Sequence, residues 1–161
     1  MLNKYLFTIN KGLLFACLSM YFGTGWSLLL FSFPIAPQLT TANYYNQFVP
    51  QVTAATDFFT GMTIVMIVCC LIFIIEKWRD LAIWYPIVIL TGLIAATTLT
   101  IVFIFPYNDL MAKGITNSSV LQLVLRQWIF LNKIRVSIWT IQWLSMAIYY
   151  SRLLIKMEGR L

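Results

Sequence analysis

LNKIRVSIWTIQWL, residues 131–144, decides how this chain must fold. The stretch lies inside a run apolar enough to cross a bilayer, yet it contains Asn132, Lys133, Arg135 and Gln142. An arginine set in hydrocarbon costs between about 2.5 and over 10 kcal/mol. Trp128, Asn132, Arg135, Trp139, Gln142 and Met146 follow one another at steps of four, three, four, three and four. On a helix they share one stripe. Turned towards lipid, that stripe is untenable, so it faces the interior of a bundle or a wet cavity. At ~1.5 Å rise per residue, Arg135 sits roughly 13 Å along the helix from Arg126, well inside the run. Lys133 is off the stripe, where its flexible stem reaches towards the surface.

The rest of the chain supplies the bundle. Of its 161 residues, 61% are hydrophobic, 16% aromatic and 10% charged, with a mean hydropathy of +0.84. A soluble domain is roughly 45–50% apolar and about a quarter charged. There is too little charge here to cover a water-facing surface. Four apolar runs, at about 12–33, 56–75, 84–105 and 127–150, each approach the ~20 residues a bilayer needs. The first is too long for a signal peptide and has no small-x-small cleavage site after it, so it stays as an anchor. The expected fold is all-α, an integral membrane four-helix bundle forming a single domain over residues 1–161.

Charge gives the direction. Lys4, Lys11, Lys77, Arg79, Arg152, Lys156 and Arg160 flank the termini and the short second linker, whereas the two longer linkers hold only Lys113 and Arg126. Seven basic residues against two place both termini in the cytoplasm. The expected location is multi-pass in a plasma or inner membrane. Small residues suggest where helices meet: Gly12, Ala16, Ser19 and Gly23 in the first run, Gly92 and Ala96 in the third. Such stripes let backbones approach within one bundle.

Several classes fall away. The basic residues form no continuous face, which argues against nucleic acid despite the net charge of +6. The chain has no histidine, and Cys17, Cys69 and Cys70 show neither CxxC nor paired metal spacing. We therefore expect no metal and no cofactor. The cysteines read as small packing residues, with Cys70 near a helix end open to acylation.

A buried arginine calls for an anion. Glu76, Asp80 and Glu158 belong to the other side, leaving Asp57, read as the start of the second helix, and Asp109 in the outer linker. The expected partner of Arg135 is Asp57, with Asp109 second. Such a pair can serve purely as an inter-helix lock. Alternatively it anchors a small-molecule site, with Trp128, Trp139, Gln142 and Trp143 holding a flat hydrophobic ligand.

FPYNDLM (105–111), followed by RQWIFLNKIRVSIW (126–139), resembles the anthrone-oxygenase-like family of small four-helix membrane proteins. The shared pattern is Pro-x-Asn closing the third helix and Trp-x-x-x-Asn-x-x-Arg opening the fourth, here Pro106, Asn108, Trp128, Asn132 and Arg135. The resemblance covers the last third of the chain. It implies a third linker folded over a polar cluster and, for some members, oxygenation of a polycyclic anthrone without a metal. Arg135 would then pair with the enolate, Asn132 and Asn108 would orient oxygen atoms, and Asp57 would be the base. Three functions stay open: such an enzyme, a non-catalytic accessory subunit of a larger membrane complex, and a binder or transporter of a quinone-like, pigment or lipid molecule. Beyond the lipid bilayer, the expected partners are other membrane subunits or a hydrophobic aromatic molecule.

Overall fold

The computed structural model describes residues 2–158, and among these there is no strand. Four helical rods run alternately up and down. The first, α1, spans Leu2–Ser27 and continues through a π-turn (Leu28–Ser32) and short helical turns to Gln38. The second, α2, spans Tyr44–Lys77. The third, α3, spans Trp84–Leu99 and continues through a second π-turn (Thr100–Ile104) into the short helix Phe105–Ala112. The fourth, α4, spans Ser118–Glu158. α4 packs along α3 and α1, and α2 along α1 and α3. The first three rods are long and apolar enough to cross a membrane.

The helices outrun the apolar runs that announce them. Pro34, Pro37, Pro50 and several amides read as a loop over 34–55, but α2 is already helical at Tyr44 and carries Pro50 inside it. Asp57 is therefore thirteen residues into α2 (44 to 57) and not at its start. The connection from α3 to α4 is likewise short, because Phe105–Ala112 is helical and turns at Gly114, whose φ of +88° suits a residue without Cβ.

Both described ends lie at the same end of the bundle. There the Lys11 ammonium donates to Glu76 at 2.6 Å, and the Asn10 amide donates to the Cys69 carbonyl at 3.0 Å. Tyr149 of α4 packs on Phe73 and Tyr85. Lys4, Lys77, Arg79, Arg152 and Lys156 belong to this basic end. At the far end, the Tyr44 hydroxyl donates to the Met111 carbonyl at 3.2 Å and accepts the Ile115 N–H, stapling the last connection to α2. Gln122 donates to the carbonyls of Pro37 and Leu39, both at 3.1 Å.

One small-residue stripe packs as expected and one does not. Gly92 lets the buried Gln142 side chain lie against the α3 backbone, where a Cβ would come within 2.7 Å of Gln142 Cγ. Gly12, Ala16 and Gly23, in contrast, are exposed, and nothing lies within 4 Å of a Cβ built on Gly12 or Gly23. α1 packs inward instead through Leu14, Cys17, Leu18, Tyr21 and Gly25. In α1 these three lie outside the bundle, and Ser19 is the member of that stripe that turns in, partly buried against α4.

Candidate functional site

The apolar core is divided. One cluster fills the basic half around Leu18, Met66, Phe73 and Met146; the other fills the far half around Tyr44, Met111, Leu125 and Trp128. Between them lies a chamber of about 790 Å³ walled by all four rods. That volume falls within the ~300–1,000 Å³ of small-molecule sites. Its walls include Tyr21, Phe33, Phe59, Leu93, Trp128 and Trp139. Ile64, Ile101 and Phe31 both line it and are exposed on the outside, so they mark its rim.

Arg135 lines this chamber from α4, and the stripe read from the sequence explains how it is held. Asn132, fully buried, donates to the Trp128 carbonyl one turn back at 2.8 Å and accepts from the Arg135 guanidinium through its Oδ1. A second Arg135 nitrogen faces the Thr100 hydroxyl at 3.4 Å, and the guanidinium carbon lies 4.7 Å from the Trp139 ring centroid. Cation–π contacts and charge-assisted bonds are strongest where water is excluded. One donor is left over: Arg135 Nε is buried and has no partner among the described residues. Asn108 takes up the Trp128 indole N–H at 2.8 Å, tying the short helix after α3 to α4.

Thr100 owes its place to a local defect in α3. Proline cannot donate to the helix ladder and its ring crowds the carbonyl four residues back. Ahead of Pro106 the helix widens, and Phe105 N–H reaches Thr100 O five residues back. The same device precedes Pro34, where Phe33 N–H reaches Leu28 O. Both π-turns border the chamber, through Leu28 and Ser32 on one side and Thr100 and Ile104 on the other. Such turns are frequent at functional sites.

The remaining sequence-derived residues separate. Asp57 is exposed, one position round the helix from the chamber-facing Thr56, and with Asp109 lines a different hollow of about 200 Å³. The ion pairs among the described residues join Lys11 to Glu76 and Lys77 to Glu76 and Asp80. Arg135 is paired with neither Asp57 nor Asp109, and the expected lock is replaced by a neutral amide and hydroxyl. Gln142 is buried on the stripe but points at α3, donating to the Ile89 carbonyl at 2.9 Å, outside the chamber. Trp143 is one step further round and belongs to the α1 interface, donating to Ser19 at 3.2 Å and stacking on Phe22. Trp128 and Trp139 do line the chamber.

Sequence reasoning missed Tyr21, Thr63 and Thr100. The Tyr21 hydroxyl is 2.5 Å from Thr63 Oγ1, and its ring packs on Trp139 with centroids 4.5 Å apart. Among the described residues that line the chamber there is no carboxylate, lysine or cysteine, and Arg135 and Tyr21 are the ionisable side chains. No group of three or more His, Cys, Asp or Glu that could hold a metal occurs among the described residues. Compared with protein-family models, curated proteins and solved structures, the chain matches none.

Proposed function

We propose that this chain is an integral membrane protein crossing the bilayer four times, and that it binds a hydrophobic molecule through an oxygen atom held by Arg135. The observation that carries the reading is the state of Arg135. It lines a largely apolar chamber, is held by neutral groups only, and keeps a buried donor free. A guanidinium has donors and no acceptor, so what completes it is an anionic or carbonyl oxygen. The aromatic walls suit the body of such a molecule.

Three rods of sufficient length and apolarity support the membrane setting, as do the exposed Ile64, Ile75, Leu81 and Ile141. α4 is less apolar because it carries polar residues both on the stripe that it buries, Asn132 and Gln142, and on its exposed surface, Arg126, Gln127 and Lys133. The clustering of Lys4, Lys11, Lys77, Arg79, Arg152 and Lys156 at one end supports cytoplasmic termini. Among the described residues that line the chamber there is no carboxylate base, so binding is better supported than oxygenation. Asp57, the base that the anthrone-oxygenase resemblance would use, lines the neighbouring hollow instead.

The test is native mass spectrometry of the protein extracted gently from its own membrane. The expected result is a small hydrophobic mass retained by the wild type and lost in Arg135→Gln. A wild type that carries no such mass, and co-extracts with other chains, would replace this reading with that of an accessory subunit.

A further inference from the structure

The two long walls of the chamber are written on the same spacing. On α4 the stripe runs Trp128, Asn132, Arg135, Trp139; on α2 it runs Thr56, Thr60, Thr63, Ile67. Each α2 residue stands 72 positions before its α4 counterpart (128 minus 56, 135 minus 63). The same interval separates the π-turns that begin at Leu28 and Thr100, each followed by Phe-Pro. The walls therefore occupy matching positions in two successive hairpins, while their chemistry is opposite.

The α4 wall offers donors, since Arg135 can only donate and its Nε is unpartnered. The α2 wall offers acceptors. Thr56, Thr60 and Thr63 give their hydroxyl protons to the carbonyls of Val52, Thr56 and Phe59, at 2.8, 2.7 and 2.8 Å. Each keeps only lone pairs for the chamber. Because the Thr63 proton is committed, Tyr21 gives its own proton to Thr63 Oγ1 or to the Phe59 carbonyl, 3.2 Å away. Its oxygen too is left as an acceptor. Between the walls lie Leu93 and Ala96 of α3, while Phe59 and Trp139 add aromatic faces from α2 and α4. Tyr21 and Phe59 stack with rings 19° apart, favouring a flat neighbour.

We propose that the chamber takes a flat lipophilic molecule carrying oxygen at two opposite edges: an anionic or carbonyl oxygen at Arg135 and a hydroxyl that donates to the threonine wall of α2. This rests on the binding function proposed above and specifies its ligand. A molecule with acceptors alone satisfies Arg135 but gives Thr60 and Thr63 nothing. A molecule with a hydroxyl alone leaves the guanidinium incomplete. An aromatic hydroxy acid, ionised at its carboxyl and keeping its hydroxyl proton, fits both walls.

The test compares three probes on the full-length protein in detergent, read by quenching of tryptophan fluorescence. They are hydroxynaphthoic acid with its two groups at opposite ends of the ring pair, naphthoic acid, and the matching methoxynaphthoic acid. The hydroxy acid is expected to bind about fivefold tighter than naphthoic acid, the equivalent of one neutral hydrogen bond. The methoxy acid, which cannot donate, gains nothing. Thr60→Val with Thr63→Val brings the hydroxy acid to the same Kd as naphthoic acid on that variant, and naphthoic acid binding retained there shows that the site is still folded. Thr63→Ser retains the advantage. Equal affinity of the hydroxy acid and naphthoic acid would overturn the two-ended site and leave the binding function standing. An advantage that survives the double valine variant overturns the placement on α2. Failure of both acids to bind the wild type overturns the two-ended site and the binding function together.

Discussion

Replacing Asn132 with leucine tests the support of Arg135 directly. The two side chains are similar in size, and position 132 is fully buried, so the change is chiefly one of hydrogen bonding. Two bonds disappear: the amide donation to the Trp128 carbonyl at 2.8 Å, and the acceptance from the Arg135 guanidinium. The first is neutral, and its loss costs about 0.5–1.5 kcal/mol; the second involves a charge and is worth about 1.5–3 kcal/mol. Leucine recovers some of this through its extra apolar surface, leaving a net loss of roughly 2–3 kcal/mol. What then remains for the guanidinium is the long contact to Thr100 and the Trp139 ring. In a chain of this length each kcal/mol moves Tm by about 2–4 °C, so Asn132→Leu should lower it by roughly 4–12 °C. The assay is thermal unfolding in detergent followed by tryptophan fluorescence, with Arg135→Leu and the double variant alongside. Removing both members of a polar pair costs far less than removing one. The double variant should therefore unfold above the Asn132→Leu single variant. Losses that simply add would refute the coupling, and an unchanged Tm for Asn132→Leu would show that Asn132 does not carry Arg135.

Gly92→Ala should destabilise by about 1–3 kcal/mol, because its Cβ would come within 2.7 Å of Gln142 Cγ in a fully packed interface; Gln142→Ala added to it should recover part of the loss in the same melting assay. Gly25→Ala places a Cβ 2.9 Å from the Trp139 ring, so it should weaken naphthoic acid binding through the displaced indole, measured by fluorescence titration. At the basic end, Lys11→Met leaves Glu76 with only the longer contact to Lys77 at 3.4 Å, in a site where the Lys11 and Glu76 side chains are 10% and 14% exposed, and should cost about 1.5–3 kcal/mol, the worth of a charge-assisted hydrogen bond; Lys11→Met with Glu76→Leu should regain most of it. The Ala82 N–H donated to Asp80, and the nearby Lys77, hold the Asp80 carboxyl below its ordinary value of 3.8. A lowered carboxyl favours the fold above that ordinary value and loses its contribution as pH falls through the lowered one. The Tm of wild type and Asp80→Asn should thus differ near neutral pH and converge in acid.

The inward-facing stripe of α4 was legible because its period is helical and its contents are costly in lipid, and the structure buries Trp128, Asn132, Trp139, Gln142 and Met146 as that argument requires. Charge, however, was a poor guide to the partner of Arg135. Reasoning by elimination among carboxylates led to Asp57, since a charge is conspicuous and a threonine is not. The threonines of α2 repeat at the spacing of the α4 stripe, and that signal was in the sequence. Helix ends were also hard to read. Pro50 is compatible with the interior of α2, so a proline-rich segment did not mean a loop. Trp143 shows the limit of residue type as evidence. One step along a helix is about 100° of rotation, enough to move an indole from the chamber side to the α1 interface.

A π-turn holds one residue more than the α-helix it interrupts, so it stores a unit of rotation. If the turn at Thr100–Ile104 closed to ordinary α-geometry, everything on one side of it would swing by about 100° relative to the other. Thr100 would leave Arg135 and the neighbouring Ile101, now at the rim, would take a new bearing. The proline that follows opposes this closure, because its ring needs the widened backbone. Pro106 thus acts as a wedge that keeps the α3 wall of the chamber in register with the guanidinium, and Pro34 does the same for the opposite hairpin.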